Sequence, residues 1–497
     1  MGKVDYSGQK VLVMGLGLHG GGIESARFLA LRGAEVTVTD LRDEETLAPS
    51  IDKLRYPGGA PLPIRYVLGH HETADFESAD LVIKNPGVRP DSPFLQNCRR
   101  IETDISIFLA ENPARLTAVT GSKGKSGTAS AIHWALCRAR DGALLPGTAW
   151  LGGNITVSPL GFLDKLGPED DVVLELSSWQ LGDLRGRRRA GTAGALLKPR
   201  CAVITAILPD HLDRYGDMDT YVADKRVIYQ GQDRGDVTIA GDDSWGRSFR
   251  RETPGRPLVY AEAPLPEGLA GGWFCTRRSH DGWDSPGFAR LAGTGDPVEV
   301  VPPKLRCPGD HQKKNFLAAA LALLDMGLPP ASIRTYLGDF PGIEHRLEFF
   351  HEKGGIRFYN DTAATIPEAA AAAVEAFDTG VILVTGGADK NLDFSLLLPA
   401  AAKTKGLVLL AGTGSDKLRR LLDAGGLSYR GPFDSTDTAI RAALELAKPG
   451  DSVVLSPGCA SFGMFLNEFD RGRRWKEGVI RLTGGTDFPG NTTPPES

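Results

Sequence analysis

Several short stretches of this 497-residue chain carry residue types suited to phosphate and metal chemistry. Thr120-Gly121-Ser122-Lys123-Gly124-Lys125-Ser126 follows an apolar run and opens a helical pattern. In that setting backbone N–H groups wrap phosphate oxygens, Lys125 reaches the β and γ oxygens, and the Ser126 hydroxyl ligates Mg²⁺. The longer form of the motif wants glycine where Val119 stands, so a chance Gly/Lys loop is the competing reading. The strand–loop–helix context favours ATP. Gly15-Leu16-Gly17-Leu18-His19-Gly20 also lies between a strand and a helix, and Asp40 ends the next strand. Glycines there let the backbone approach a diphosphate held at a helix N-terminus. A dinucleotide, another diphosphate ligand and a merely tight turn all stay open.

Glu175 leaves the apolar run Val172-Val173-Leu174 and is a natural Mg²⁺ ligand beside a phosphate loop, or else a solvated strand end. Pro209-Asp210-His211-Leu212-Asp213-Arg214-Tyr215 follows another apolar run, at the sheet edge where sites form. Lys225 stands in a helical pattern, where an exposed lysine is the ordinary reading. Farther on come Glu344-His345-Arg346, Asn360-Asp361-Thr362-Ala363-Ala364-Thr365 and Gly386-Gly387-Ala388-Asp389-Lys390. The last two end strand patterns and place polar groups at strand carboxyl ends.

Three α/β units position these residues. The first, residues 1–114, reads as Rossmann-like, with strands at 10–14, 35–40 and 80–84 and a helix stopped near Gly33. The second, residues 115–340, reads as a P-loop-type ATPase domain with a mostly parallel sheet. Its strands are expected at 116–120, 171–176 and 201–208, and a helix carries the run 316–324. Residues 262–300 read as loops and short strands. The third unit, residues 341–497, is again Rossmann-like, with strands at 356–360, 380–385, 406–411 and 451–455 and a frayed tail after Gly484.

Lys and Arg number 57 against 62 Asp and Glu, a net charge of −5, which gives no support to nucleic-acid binding. The six cysteines show no C-x-x-C pair, so free thiols in a reducing compartment are expected. Residues 1–10 lack a signal-peptide core, and no apolar run is long enough to span a bilayer. A cytoplasmic, monomeric protein without membrane partners is the expectation. Two different phosphate-type loops disfavour a simple dehydrogenase.

In this order the motifs resemble those of the Mur ligases, ATP-dependent enzymes that add amino acids to UDP-N-acetylmuramic acid precursors of peptidoglycan. The resemblance spans about residues 8–480. It rests on Gly124-Lys125-Ser126, on Leu-Glu-Leu-Ser-Ser-Trp-Gln-Leu at 174–181 and on Asp-His-Leu-Asp-Arg-Tyr at 210–215. His345-Arg346, Asn360-Asp361, Gly-Gly-Ala-Asp-Lys at 386–390 and Leu-Ser-Pro-Gly-Cys-Ala-Ser-Phe at 455–462 complete the set. Within the family the chain is most similar to the D-glutamate-adding branch. The resemblance implies addition of D-glutamate to UDP-N-acetylmuramoyl-L-alanine through an acyl phosphate, in cytoplasmic cell-wall synthesis that serves cell shape and division.

It also implies roles. Gly17, Leu18, His19, Asp40 and Arg42 would hold the uridine diphosphate, and Asn154 the sugar nucleotide. Gly121, Ser122, Lys123, Gly124, Lys125, Ser126, Gly127, Asn315, Arg346 and Asp361 would hold ATP. Ser126, Glu175, His211 and Lys225 would serve two Mg²⁺ ions, with Lys225 carbamylated by CO₂. Lys125, His211, Lys225 and Arg346 would be catalytic. His211 would also border the substrate, and Thr365, Lys390, Ser461 and Phe469 would meet the incoming glutamate. The chain departs from the family pattern at Gly127, at Gln312, at Phe469 (one place late) and at Thr362-Ala363, where Ser-Lys is usual. The last change removes a cation near the amino acid, which leaves L-glutamate open as its substrate. A folate polyglutamate-type ligase, an NAD-dependent oxidoreductase and a non-catalytic nucleotide sensor are the rival readings.

Overall fold

Short apolar runs, each closed by glycine or a polar residue, become three sheets in the computed structural model of the chain. It describes residues 4–18, 20–56, 59–155, 157–274, 285–291, 296–377 and 380–484. The first sheet has five parallel strands in the order Arg65–Leu68, Glu35–Asp40, Lys10–Met14, Leu81–Lys84, Ile101–Glu102. The second has nine: Val298–Val301, Gly287–Arg290, Gly271–Phe274, Arg256–Ala261, Val237–Gly241, Cys201–Ile204, Arg115–Thr120, Asp171–Glu175, Ala149–Gly153. From Gly271–Phe274 through Ala149–Gly153 the pairings are parallel. The third has six: Glu348–Lys353, Ile356–Asn360, Ser452–Leu455, Val381–Thr385, Gly406–Leu410, Arg430–Phe433. Its first pair is antiparallel and the others are parallel. Three mostly parallel sheets with helical crossovers match the expected fold class.

Most of the strands missing from the sequence reading have a common cause, the interior strands Val237–Gly241 and Arg256–Ala261 being the exceptions. Arg65–Leu68, Ile101–Glu102, Glu348–Lys353 and Arg430–Phe433 all lie at sheet edges. Edge strands are less covered, so they lack the continuous apolar run of a buried parallel strand. One expected strand is too long: 201–208 stops at Ile204. Thr205 folds its hydroxyl onto the carbonyls of Thr120 (3.1 Å) and Lys123 (2.7 Å), turning the chain under the Gly/Lys loop. The apolar run 316–324 belongs to a longer helix, Asp310–Asp325. Residues 262–300 do contribute short strands. His19 and the tail after Gly484 lie outside the described residues. Cys98, Cys137, Cys201, Cys307 and Cys459 are free thiols.

Packing divides the chain into two compact units. One comprises Met1–Phe274, Phe288–Val300 and Asn315–Ile333; the other comprises Cys275–Gly287, Val301–Lys314 and Arg334–Ser497. The first unit holds two sheets because they share a core. One apolar cluster runs from Tyr6 and Val11 through Phe108 and Leu116 to Phe249. Phe108, from the first region, meets Phe162, from the second, edge to face at 5.9 Å. Polar links seal the junction: Arg187 to Glu102 (2.6 Å), Arg32 to Asp164 (2.8 Å), and the Ser158 hydroxyl to Asp104 (3.0 Å). The boundary expected at 114 therefore separates two sheets but not two cores. We propose 1–114, 115–340 and 341–497 as domain spans, each holding one sheet.

Phe108 is fully buried. Its replacement by alanine is expected to cost about 3–5 kcal/mol. Calorimetry on Phe108→Ala should show the transition of the whole first unit shifted down. A low-melting transition confined to the first sheet would show that the core is divided.

Candidate active site

The helix Lys125–Asp141 starts at Gly124, which has left-handed backbone (φ 91°) and no side-chain cap. Its first-turn N–H groups have no intrahelical partners, and the helix dipole puts about half a positive charge at that end. Gly124 is required: a Cβ there would strike the Asn315 side chain, which brings Asn315 against the loop. Not every loop group faces outward. The N–H groups of Ser122 and Lys123 donate to Ala206 O (2.8 and 3.4 Å). The Ser122 hydroxyl lies 2.9 Å from the Tyr221 hydroxyl and donates to Leu208 O (2.8 Å). Ser122, expected to bind ATP, thus spends its donors on the fold. Lys125 arches back, its ammonium 3.0 Å from both Gly121 O and Ser122 O. Burial pushes its pKa down.

Glu175 is the last residue of its strand and is 1% exposed, which rules out the solvated reading. Asn154 donates to one carboxylate oxygen (2.8 Å). The other is buried without a hydrogen-bond partner. A buried carboxylate oxygen left unpaired is costly, and a divalent cation is the partner that relieves it. Ser126 lies in the first turn of the neighbouring helix. These residues fit a Mg²⁺ ion.

Lys225 is not the exposed helix lysine of the ordinary reading. It is 1% exposed, and its Nζ donates to Gly121 O (2.7 Å) above the Tyr221 ring (4.6 Å). Lys125 and Lys225 therefore converge on one carbonyl. Burial, and then the neighbouring Lys125 charge, lower the Lys225 pKa to about 7. His211 adopts left-handed backbone (φ 54°) at the start of Leu212–Tyr215, its ring 5.0 Å from that of Trp179. Arg214 covers the same indole (4.3 Å). Sequence reasoning missed Tyr221, Thr205 and the bond that makes Asn154 an aligner of Glu175. Tyr221 was findable, since it lies four residues before Lys225 on the same helix face.

In the first sheet Asp40 accepts from Gly17 N (3.1 Å) and Arg42 N (3.0 Å), and Ser50 donates to Gly17 O (2.8 Å). Asp40 thus ties the glycine loop to the next turn, with Arg42 and Leu18 exposed beside it. The helix Gly21–Leu31 also lacks a side-chain cap.

The second unit assembles its own residues. Arg346 is exposed between His345 (φ 67°) and Leu347 (φ 46°). Fully buried Glu348 anchors that turn, accepting from His345 N and Asn360 (3.0 Å each) and from Lys476 (2.9 Å). Asp361 accepts from Leu347 N (3.0 Å) and Ser456 (2.7 Å), and burial raises its pKa to about 6. Thr365, Lys390 and Ser461 follow three neighbouring strands, Ile356–Asn360, Val381–Thr385 and Ser452–Leu455. Lys390 lies 5.5 Å from the Phe462 ring, and Phe469 faces His345 at 5.3 Å.

Lys225 binds fewer protons folded than unfolded between pH ~7 and its ordinary 10.5. Stability it contributes therefore rises with pH through that window and is withheld below it. In CO₂-free buffer the stability of wild type relative to Lys225→Met should climb from pH 7 to 10. A flat difference in denaturant midpoints would contradict the buried-amine geometry.

Three family models match: "Mur ligase MurD-like, N-terminal domain" over residues 9–107, "Mur ligase middle domain" over 119–323, and "Mur ligase, glutamate ligase domain" over 345–459. The UDP-N-acetylmuramoylalanine–D-glutamate ligase of Treponema pallidum (strain Nichols) is 41% identical, across 95% of this chain and 97% of that protein. The same-named protein of Roseiflexus sp. (strain RS-1) is 41% identical across 97% and 100%. In fold, the UDP-N-acetylmuramate-alanine ligase MurC from Thermotoga maritima superimposes with a TM-score of 0.54 at 18% identity, covering 95% of this chain and all of that one. Motif order, site geometry and full-length similarity agree: the chain belongs to the Mur ligase family, on its MurD-like branch.

Proposed function

We propose that this protein is an ATP-dependent ligase that joins D-glutamate to UDP-N-acetylmuramoyl-L-alanine in peptidoglycan precursor synthesis. The observation that carries the reading is the convergence of Lys125 and Lys225 on Gly121 O, with the unpaired Glu175 oxygen within their electrostatic reach. That arrangement suits the gathering of anions and divalent ions at one loop.

The chemistry follows from charge. A carboxylate is a poor electrophile. A substrate carboxylate oxygen attacks the γ-phosphorus of ATP, ADP leaves, and an acyl phosphate forms. The glutamate amine then attacks the acyl carbon, loses a proton, and expels phosphate to leave the amide. Both reactants of the first step are anions, so the barrier is largely electrostatic. The N-terminus of the helix Lys125–Asp141 and the Lys125 ammonium hold the phosphates. Ser126, Glu175, His211 and Lys225 would hold two Mg²⁺ ions, which supply charge neutralisation. Lys225 as an ammonium would repel them. As a near-neutral amine it adds CO₂, losing a proton and becoming a carbamate anion. Asn154 keeps Glu175 aligned.

The other assignments rest on the family motifs. Gly17, Leu18, His19, Asp40 and Arg42 are assigned to the UDP-sugar. Arg346, Asp361 and Asn315 are assigned to the nucleotide, and Thr365, Lys390, Ser461 and Phe469 to glutamate. No described helix is long and apolar enough to cross a membrane. A cytoplasmic monomer serving cell-wall growth, and through it cell shape and division, is the setting we propose.

Phosphate release should require UDP-N-acetylmuramoyl-L-alanine, ATP, Mg²⁺ and D-glutamate together, with L-glutamate inactive. Release with L-glutamate alone would overturn the assigned chirality. Lys225→Ala should lose about 10²–10³-fold in kcat, the scale of losing one preorganised electrostatic group. Short carboxylates should restore part of it. Full activity in Lys225→Ala would refute the carbamate role.

A further inference from the structure

Arg471 is among the largest fully buried side chains, at 1% exposure. It lies on the helix Glu468–Thr483, held in place by Trp475, whose indole N–H donates to Tyr359 O (3.2 Å). Its guanidinium donates to the Thr362 hydroxyl (3.0 Å), to Thr362 O (2.9 Å) and to Cys459 O (3.1 Å). All three partners are neutral. No carboxylate among the described residues forms an ion pair with it. The Cys459 thiol and half-buried Glu468 act on it electrostatically without pairing with it, and neighbouring Asp470 is engaged with Arg474 (3.1 Å). A buried charge without a counter-ion is expensive and needs a reason.

Its partners supply one. Thr362 and Cys459 belong to the segments that lead to Thr365 and Ser461. Gly458 N donates to Ala364 O (2.9 Å), joining those two segments. Ala388 and Ala460 exchange backbone bonds (3.0 and 3.1 Å), which adds the loop of Lys390. Arg471 is thus a fork across two of the three segments assigned to glutamate, and the third, the Lys390 loop, is fastened to one of them by the Ala388–Ala460 backbone bonds. It also lies against Thr362-Ala363, where the usual cation is missing. We propose that Arg471 is the positioning residue of the amino-acid site and that its uncompensated charge favours an amino acid bearing a side-chain carboxylate. The proposal rests on the assignment of Thr365, Lys390 and Ser461 to glutamate.

The test is steady-state kinetics of the full chain with each substrate varied, alongside melting curves. Arg471→Met should raise the glutamate KM about tenfold or more, leave those for ATP and the UDP-sugar within about twofold, and weaken the salt dependence of the glutamate KM. Arg471→Lys, which keeps the charge but not the fork, should recover part of the loss. A folded Arg471→Met with unchanged glutamate KM, or with all three KM values raised alike, overturns the proposal. If Arg471→Met does not fold, Thr362→Val decides, since it removes one acceptor and keeps the charge. A rise of about threefold in its glutamate KM alone supports the proposal, and no change overturns it. Ser461→Ala and Lys390→Ala run as controls. If neither raises the glutamate KM, the site assignment itself fails. If both do and the Arg471 variants do not, only the role of Arg471 fails.

Discussion

Two lysine side chains share one backbone carbonyl in the first unit, and much of the surrounding architecture exists to hold them there. Lys125 and Lys225 both donate to Gly121 O, under burial that disfavours either charge. Like charges do not gather in a low-dielectric site by themselves. Rigid elements force the meeting. One lysine opens the helix Lys125–Asp141 and the other projects from Met218–Gln230, while Tyr221 and Thr205 pin the loop between them. An incoming polyanion relieves the repulsion between two such ammonium groups, so anion binding draws on the same arrangement.

The rest of the first unit serves the same purpose. Its sheets are parallel where the glycine loops sit, so loops carrying chemistry leave at strand carboxyl ends. The shared core with Phe108 against Phe162 sets one sheet against the other without a flexible joint. In the second unit the logic is inverted: buried charges are compensated with care around Arg346, where Glu348 meets Lys476 and Asn360. Arg471, by contrast, is hydrogen-bonded only to neutral partners. An exposed arginine on a left-handed turn needs such bracing, because its own rotamers would otherwise scatter it.

Family membership also limits what each kind of likeness says. A solved neighbour at 18% identity shares the architecture, while relatives at 41% identity across nearly the full chain show the family. The departure at Thr362-Ala363 sits beside the buried guanidinium that contacts Thr362.

Most central strands and both glycine loops were legible from residues alone, because burial on both faces writes a continuous apolar run and a tight turn demands glycine; Val237–Gly241, a buried central strand, was not. Edge strands such as Arg430–Phe433 were not, since a partly solvated strand has no such run. Residue types named most of the candidate site: Lys125, Glu175, His211 and Lys225 are chemically conspicuous in their motifs. Their state was not written there. Whether Lys225 is a solvated cation or a near-neutral amine depends on what packs over it, and the orphaned oxygen of Glu175 depends on Asn154, 21 residues away, taking the other one. Local order in the chain selects elements and donors. Burial, pairing and pKa are set by contacts between distant segments, and only the folded molecule decides them.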